Sequence, residues 1–282
     1  MSTIISRQIS TKHHKNYPIN MEMFKSALEV ADTCKTRQIT NSWFDNMQKN
    51  SSISRWNGVK SYSEAIDLLR GGYQPIVDEL KLSTKINRHG EQKRIQFRNE
   101  VQGFMPVVPL AMMGVPNSMI NTTIKPIKRK VLDVYYDTTA NAGVKPDAII
   151  KVGQTLLGAI LELEQQGYKF NLYAVQTYSD RDGADCICVK VKSSDKPLDL
   201  KRMSFPLCHT AFFRVIGFDW YSKFPKGTYR SGYGHNINQE FESEYPDLIK
   251  QLFGENAIMF NANELLRDGN ADSIKSALLQ NK

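Results

Sequence analysis

The residues best suited to chemistry follow an apolar run, VLDVYYD, at residues 131–137. The run ends on the carboxyl group of Asp137, and oxygen-bearing side chains follow at Thr139 and Asn141. Carboxylate, hydroxyl and amide oxygens are the ligands that hard divalent cations prefer. The spacing therefore predicts one of two things: a cation site at the end of a strand, or a strand that runs into a turn.

The elements that must position this motif alternate between strand and helix. A proline at the first turn and a glycine at the end predict a helix over 146–167. A strand follows at 168–178, and an Asp–Gly turn leads into another at 185–192. This order is typical of an α/β fold. We expect residues 131–137, 168–178 and 258–261 to be neighbouring parallel strands, with 185–192 antiparallel at an edge.

The same order of elements resembles the von Willebrand factor A-type domain over roughly residues 130–282. The resemblance implies a mainly parallel sheet with an antiparallel edge strand, flanking helices, and a metal ion at the carboxyl ends of the strands. The Mg²⁺ or Ca²⁺ ligands that it implies are Asp137, Thr139, Asn141 and Thr228.

One position departs from the pattern of that family. The later strand ends in NAIMFNAN, so Asn261 or Asn263 stands where the family has a second carboxylate. A site with a single carboxylate holds a hard cation weakly. We therefore expect that Asp137 binds no divalent ion tightly and that the protein needs no cofactor.

The chain before this motif divides into three parts by composition. Residues 1–20 are polar without a period, which predicts a flexible arm. Residues 21–86 are predicted to be a helical region, with an amphipathic stripe over 21–35 and a capping box formed by Ser61 and Glu64. A basic, proline-containing connection follows at 87–130, and the α/β domain fills 131–282.

The net charge of +8 is concentrated in the middle of the chain, because residues 81–130 hold ten Lys or Arg and two Asp or Glu. A local anionic partner such as nucleic acid would account for this charge. A solvated basic connection between two folded parts would account for it equally well. The groups that we expect to contact phosphates, if nucleic acid binds, are Lys93, Arg94, Arg98, Lys128, Arg129 and Lys130.

A glycine-rich loop at residues 224–236 carries aromatic and basic side chains. Such side chains stack on bases, and they are also favoured in protein interfaces. The residues that we expect at an interface are Tyr229, Arg230, Tyr233 and His235.

Three further elements resemble a family of uncharacterised proteins of tailed bacteriophages. They are W-x-G-x-x-S-x-x-E-A at residues 56–65, GFMPVVPLAMMGVPNSM at 103–119 and CHTAFFR at 208–214. In that family the last element is closer to H-P-A-x-x-R-R, from which Thr210 and Val215 depart. The resemblance implies a phage or prophage origin and implies no activity.

We expect no catalytic residues. Cys208 and His209 are adjacent, but neighbours on a helix point in different directions, so His209 is expected to be a buried histidine with a backbone partner. The glycines match no nucleotide-binding motif.

Four cysteines without C-x-x-C spacing indicate reduced thiols. No apolar run reaches the roughly 18 residues of a membrane helix, and no secretion signal is visible, which favours the bacterial host cytoplasm.

These observations favour a non-enzymatic binding protein that acts on a protein partner and possibly on nucleic acid. One alternative is a metal-dependent nucleic-acid-processing enzyme with Asp137 as a metal ligand. Another is a structural component of the virion or of its assembly.

Overall fold

The structure is a computed structural model that describes residues 2–39, 54–86, 93–126, 131–227, 237 and 241–280. Its strands are β1 Thr3–Ile9, β2 Tyr17–Phe24, β3 Lys93–Glu100, β4 Met105–Pro106, β5 Met119–Pro126, β6 Val131–Asp137, β7 Lys169–Asp180, β8 Gly183–Lys192 and β9 Ala257–Asn261. No helix in the described ranges is long and apolar enough to cross a membrane.

The helices alternate with these strands in the second half of the chain and cluster before β3 in the first half. They are α1 Ala27–Thr36, α2 Ser54–Asn57, α3 Tyr62–Gly71, α4 Gln74–Ile86, α5 Val108–Met112, α6 Pro146–Gln165, α7 Leu200–Cys208, α8 Phe218–Ser222, α9 Tyr245–Phe253, α10 Ala262–Asp268 and α11 Ala271–Gln280. A π-helix, Phe212–Gly217, joins α7 to α8, and a short 3-10 helix, Glu242–Glu244, precedes α9.

The main sheet has six strands in the order β1-β2-β8-β7-β6-β9. Strand β6 pairs in parallel with both β7 and β9, and β2 pairs in parallel with β8. The pairs β7–β8 and β1–β2 are antiparallel. The predicted α/β class is therefore confirmed, as is the position of β6 between two parallel neighbours. Its central place fits its sequence, because a strand covered on both faces is apolar almost throughout.

The first 24 residues correct two expectations. Residues 2–20 do not form a flexible arm, since they contain β1 and the first half of β2. Strand β8 is not an edge, because β2 lies along its free side. The reason lies in the alternation of Tyr17, Ile19 and Met21, which are all buried on one face of the sheet, as the period of a strand requires.

The helix expected over 21–35 starts later, at Ala27, with Ser26 as its N-cap. The apolar stripe that suggested the longer helix combines the last residues of β2 with the first turns of α1. The capping box of α3 is confirmed: the Ser61 hydroxyl accepts from the Glu64 N–H, and the Glu64 carboxylate accepts from the Lys60 N–H.

The described helices of residues 21–86 contribute to a core that they share with the α/β part of the chain. Side chains from α1, α3 and α4 share one hydrophobic cluster with β6, α6 and α7, on one face of the main sheet. The opposite face is covered by a smaller cluster that includes α9. A second, three-stranded sheet, in the order β3-β5-β4, carries the segment between these helices and β6.

Candidate functional site

The predicted motif lies where two parallel strands, β6 and β9, end together beside a longer one, β7. Asp137 is the last residue of β6, and in the strand register it lies beside Val175 of β7 and Asn261 of β9. Strand β7 continues for five residues beyond Val175, to Asp180, so it forms a wall beside the Asp137 carboxylate. This edge of an α/β sheet is where binding sites are usually built.

Hydrogen bonds occupy both oxygens of the Asp137 carboxylate. Oδ1 accepts from the Thr139 N–H at 2.9 Å, and Oδ2 accepts from the Thr177 hydroxyl at 2.8 Å. The Thr139 hydroxyl accepts in turn from the Thr177 N–H at 3.0 Å. All three side chains are buried. The network ties the end of β6 to β7.

Burial determines how this carboxyl group titrates. Desolvation raises the pKa of Asp137 to about 6, while the hydrogen bonds from Thr139 and Thr177 act in the opposite direction. The nearby charge of Glu264 raises the pKa further. Asp137 is therefore a carboxyl group poised to take up a proton under mildly acidic conditions.

Ile237, which precedes α9 in the chain, contacts this network. The Ile237 N–H donates to the Thr177 hydroxyl at 3.1 Å, so the chain reaches the site at that residue. Thr228, Tyr229, Arg230, Tyr233 and His235 lie outside the described residues, and their expected roles as ligand or interface stay predictions.

Buried polar atoms without a partner surround the same point. The Tyr245 hydroxyl and the side-chain nitrogens of Asn261 and Asn263 have no hydrogen-bond partner among the described residues. Burial, followed by the charge of Asp137, raises the pKa of Tyr245 well above its usual value. The two amide nitrogens are donors and cannot bind a cation, and the raised pKa keeps the Tyr245 hydroxyl in its neutral form, which is a poor ligand for a hard cation.

The donor set does not fit the divalent cation that the A-type resemblance implies. The Asn261 oxygen caps α10 by accepting from the Asn263 N–H, and Asn141 is exposed, with its N–H directed to the Asn263 oxygen. Within the described ranges, no three His, Cys, Asp or Glu side chains gather around a common point. A single carboxylate whose oxygens already accept hydrogen bonds is a poor ligand for a hard cation.

We accordingly expect no tight binding of Mg²⁺, Mn²⁺ or Ca²⁺ at Asp137, because a bound ion would have to displace the Thr139 and Thr177 donors. Isothermal titration calorimetry of the wild-type protein should show no micromolar binding. Micromolar binding that disappears in Asp137→Ala would contradict this expectation.

A buried arginine, Arg214, donates hydrogen bonds to the backbone of the loop that follows β6. The Arg214 guanidinium donates to the carbonyl oxygens of Trp56 at 2.7 Å and Val144 at 2.8 Å. Its Cζ lies 4.3 Å from the centroid of the Trp56 ring, and the Trp56 indole N–H donates to the Ala142 carbonyl. Burial lowers the pKa of Arg214 to about 10. The side chain is therefore a structural cross-link between α2, the π-helix and the loop.

Two of the three elements singled out in the sequence meet at this point. Gly58 has φ +76°, and a Cβ there would lie 2.8 Å from the Thr210 hydroxyl, which donates to the Asn57 carbonyl at 2.9 Å. The W-x-G element and the CHTAFFR element are thus packed against each other. This contact joins segments about 150 residues apart in the chain.

His209 is a structural histidine, as expected. Its Nδ1 accepts from the Ala211 N–H at 3.1 Å, and burial lowers the pKa of the imidazole to about 4. Burial also raises the pKa of the adjacent Cys208 thiol. A neutral imidazole beside an un-ionised thiol is the reverse of the ion pair that a nucleophilic cysteine needs.

The basic residues of the middle segment are only partly described. Lys93 and Arg94 belong to β3, and the backbone of β3 pairs with that of β5 so that Arg94 lies opposite Lys125. Arg98 is exposed. Lys128, Arg129 and Lys130 lie outside the described residues. The β3–β5 pairing brings the backbone of residues 93–100 beside that of residues 119–126, so the two ends of the segment lie together as far as Pro126.

The segment between β3 and β5 exposes a set of large apolar side chains that sequence reasoning missed. We call residues 101–113 the apolar tip. Met112 is 84% exposed and Met113 76%, and no charged residue occurs between positions 101 and 124. The exposed apolar residues of the tip are Val101, Phe104, Met105, Val108, Met112 and Met113. The signal available in the sequence was the uncharged run itself.

Comparison with known proteins identifies a family and no activity. No curated protein and no solved structure matches the chain. Residues 9–274 match the model of a domain of unknown function (DUF7192), and the chain therefore belongs to that family.

Proposed function

We propose that the chain is a non-enzymatic binding protein that holds a protein partner through the apolar tip. The observation that carries the proposal is the exposure of six large apolar side chains within residues 101–113. A contiguous apolar patch of this kind marks an interaction surface more often than it is left to water.

The chemistry of the tip favours a protein partner. Phe104, Met105, Met112 and Met113 combine one aromatic ring with three flexible thioethers. Methionine adapts its shape to an apolar pocket, and methionine and aromatic residues are enriched in protein interfaces. The tip is joined to the three-stranded sheet through β4, which pairs with β5.

The candidate site supports a role without catalysis. Both oxygens of the Asp137 carboxylate accept hydrogen bonds, His209 is neutral, and Cys208 is buried beside it. The alternative of a metal-dependent nucleic-acid-processing enzyme would need Asp137 as a free ligand. Cleavage of labelled DNA or RNA that requires Mg²⁺ and is lost in Asp137→Ala would favour that alternative.

The resemblance to tailed-bacteriophage proteins supports a phage origin and action in the cytoplasm of a bacterial host. The sheet of the α/β part offers the ends of β6 and β9 as a second surface for a binding role. A structural role in the virion is the alternative here. Detection of the chain in purified virions would favour it, and detection only in infected cells would favour the binding role.

Removing apolar surface from the tip should weaken the proposed complex strongly. Burial of one large apolar side chain contributes about 1.5–3 kcal/mol, so Phe104→Ser with Met112→Ser should weaken binding at least about 100-fold. The measurement is biolayer interferometry against the purified products of the adjoining genes.

The matched control is Leu82→Ser, which removes an apolar side chain from α4 that is also exposed but lies outside the tip. We expect it to bind like the wild type. Full-strength binding by the double variant, or an equal loss in the control, would rule out the tip as the interface.

A second candidate function, nucleic-acid binding, rests on the pairing of β3 with β5. This pairing places Lys93 opposite Pro126 and Arg94 opposite Lys125, so basic residues from both ends of the segment lie on adjoining strands. Phosphate contacts by such residues would fix position without reading sequence.

If nucleic acid binds here, replacement of Lys128, Arg129 and Lys130 by alanine should lower the salt dependence of binding. Each lost phosphate contact reduces the slope of log K against log salt by about one unit, so we expect a decrease of up to about three. Gel-shift titrations across a salt series provide the slope. If the wild-type protein binds neither DNA nor RNA at low salt, these charges only keep the segment solvated.

A further inference from the structure

A concave surface lies on the side of the main sheet that packs against the helices, away from both Asp137 and the apolar tip. This cavity has a volume of about 480 Å³ and opens between the start of α1, the end of α3, the end of β8 and the start of α7. Its apolar lining includes Leu69, Val191 and Met203. A cavity of this size accommodates a small organic molecule.

The charged groups around the cavity are nearly all positive. Lys25, Arg70 and Lys196 line it, and none of the three has an ion-pair partner among the described residues. Asp199 is the only carboxylate in the lining, and it pairs with Arg202. Lys25 interacts electrostatically with Glu29 of α1, so the excess of positive charge at the cavity rests mainly on Arg70 and Lys196.

Lys192 also lines the cavity, but an acidic side chain neutralises its charge. Lys192 is buried at the end of β8, and its ammonium group lies 2.6 Å from the Glu164 carboxylate. Lys190 is turned to the other side, over the Tyr173 ring. The three remaining cations converge on the opening from different elements, namely the residue before the α1 N-cap, the last turn of α3 and the loop before α7.

Backbone groups reinforce this polarity. The first turn of α1 contributes Ala27 and Leu28 to the lining, so the positive end of the helix dipole faces the cavity. At α7, in contrast, the Asp199 carboxylate accepts from the Lys201 and Arg202 N–H groups. The cavity thus has positive polarity on the α1 side and apolar surface on its floor.

We infer that this cavity binds a phosphate monoester that carries an organic group of about the size of a nucleoside. Lysine and arginine side chains are the usual partners of phosphate oxygens, and a concave wall of low polarity concentrates the positive potential. The apolar floor formed by Leu69, Val191 and Met203 would receive the organic group. The inference is independent of the proposed interaction at the tip.

The experiment is calorimetric titration of the full chain at low salt with adenosine 5′-monophosphate, adenosine and inorganic phosphate. We expect the nucleotide to bind at least about tenfold more tightly than either of the other two, because only the nucleotide uses both the cations and the floor. Binding should weaken as salt is added.

The Arg70→Ala, Lys196→Ala double variant should lower the affinity for the nucleotide at least about tenfold, since two charge-assisted hydrogen bonds are removed. Both residues are exposed, so thermal unfolding of the variant should match that of the wild type. The control is Lys250→Ala, which removes one positive charge from α9, on the other face of the sheet.

The inference would be overturned if the wild-type chain did not bind the nucleotide or bound adenosine just as tightly. Unchanged binding of the nucleotide by the double variant would also overturn it. A loss in Lys250→Ala as large as that in the double variant would show that net charge alone is responsible, and it would overturn the inference as well.

Discussion

Replacement of Arg214 by alanine should destabilise the protein by about 3–5 kcal/mol. The substitution leaves the Trp56 and Val144 carbonyls without their donor, and it opens a cavity beneath the Trp56 ring. For a chain of this size the loss corresponds to a fall of roughly 10 °C in the unfolding temperature. Thermal unfolding followed by circular dichroism provides the measurement.

Arg214→Lys distinguishes the contribution of the charge from that of the planar guanidinium. A lysine keeps the charge but cannot donate to both carbonyls in the same geometry, so we expect an intermediate loss of stability. Arg267→Ala, at an exposed arginine of α10, should change the unfolding temperature little. A loss below about 1 kcal/mol for Arg214→Ala would show that the loop is held by other contacts.

Asp137→Asn should change how stability depends on pH. The pKa of Asp137 is raised from 3.8 to about 6 in the folded protein, so folding favours the protonated carboxyl. Its stabilising contribution is complete below about pH 3.8 and is lost as the pH rises through about 6. The difference between these values corresponds to about 3 kcal/mol, which is an upper limit because other groups adjust.

The asparagine variant does not titrate at this position. The free energy of unfolding of Asp137→Asn, minus that of the wild type, should therefore increase by up to about 3 kcal/mol between pH 4 and pH 7. Urea denaturation at a series of pH values measures the free energy of unfolding of both proteins.

Thr177→Val removes a hydrogen bond that lowers the pKa of Asp137, so the loss of stability with rising pH should occur at higher pH in this variant. If the difference in the free energy of unfolding between Asp137→Asn and the wild type stayed constant with pH, burial would be excluded as the dominant influence on the pKa of Asp137.

The sequence predicted the central part of the sheet because the signals there are local. The run at 131–137 is apolar on both faces, and the helix that follows has its own start and stop residues. These features predicted a buried parallel strand ending in Asp137. They did not reveal that hydrogen bonds saturate the carboxylate, because the donor Thr177 lies on the adjoining strand 40 residues later.

The N-terminal strands were missed for a different reason. An isolated two-stranded hairpin is marginally stable, and β1 and β2 become stable only by joining β8. Their polar outer residues looked like a disordered arm because the partner strand lies far along the chain. Helical periodicity over 21–35 then misassigned the end of β2, since several of the same apolar residues also fit the alternation of a strand.

The contact between Trp56 and Arg214 shows a third limit of sequence reasoning. Arg214 lies in a π-helix, whose wider turn changes which side chains share a face. The structure places Arg214 and His209 against the W-x-G element, where Arg214 donates to the Trp56 carbonyl and the His209 ring lies close to Gly58.

The parallel pairing of β2 with β8 has a consequence for synthesis on the ribosome. Ile19 pairs with Ala184, so about 165 residues are translated between the two partners. Translation adds about 5–20 residues per second, so one edge of the β1–β2 hairpin stays unpaired for roughly 8–30 s before β8 is synthesised. During that interval Tyr17, Ile19 and Met21 have no core to enter. The nascent chain is thus most vulnerable to aggregation before β8 emerges, and a chaperone that shields its first 24 residues should increase the yield of folded protein.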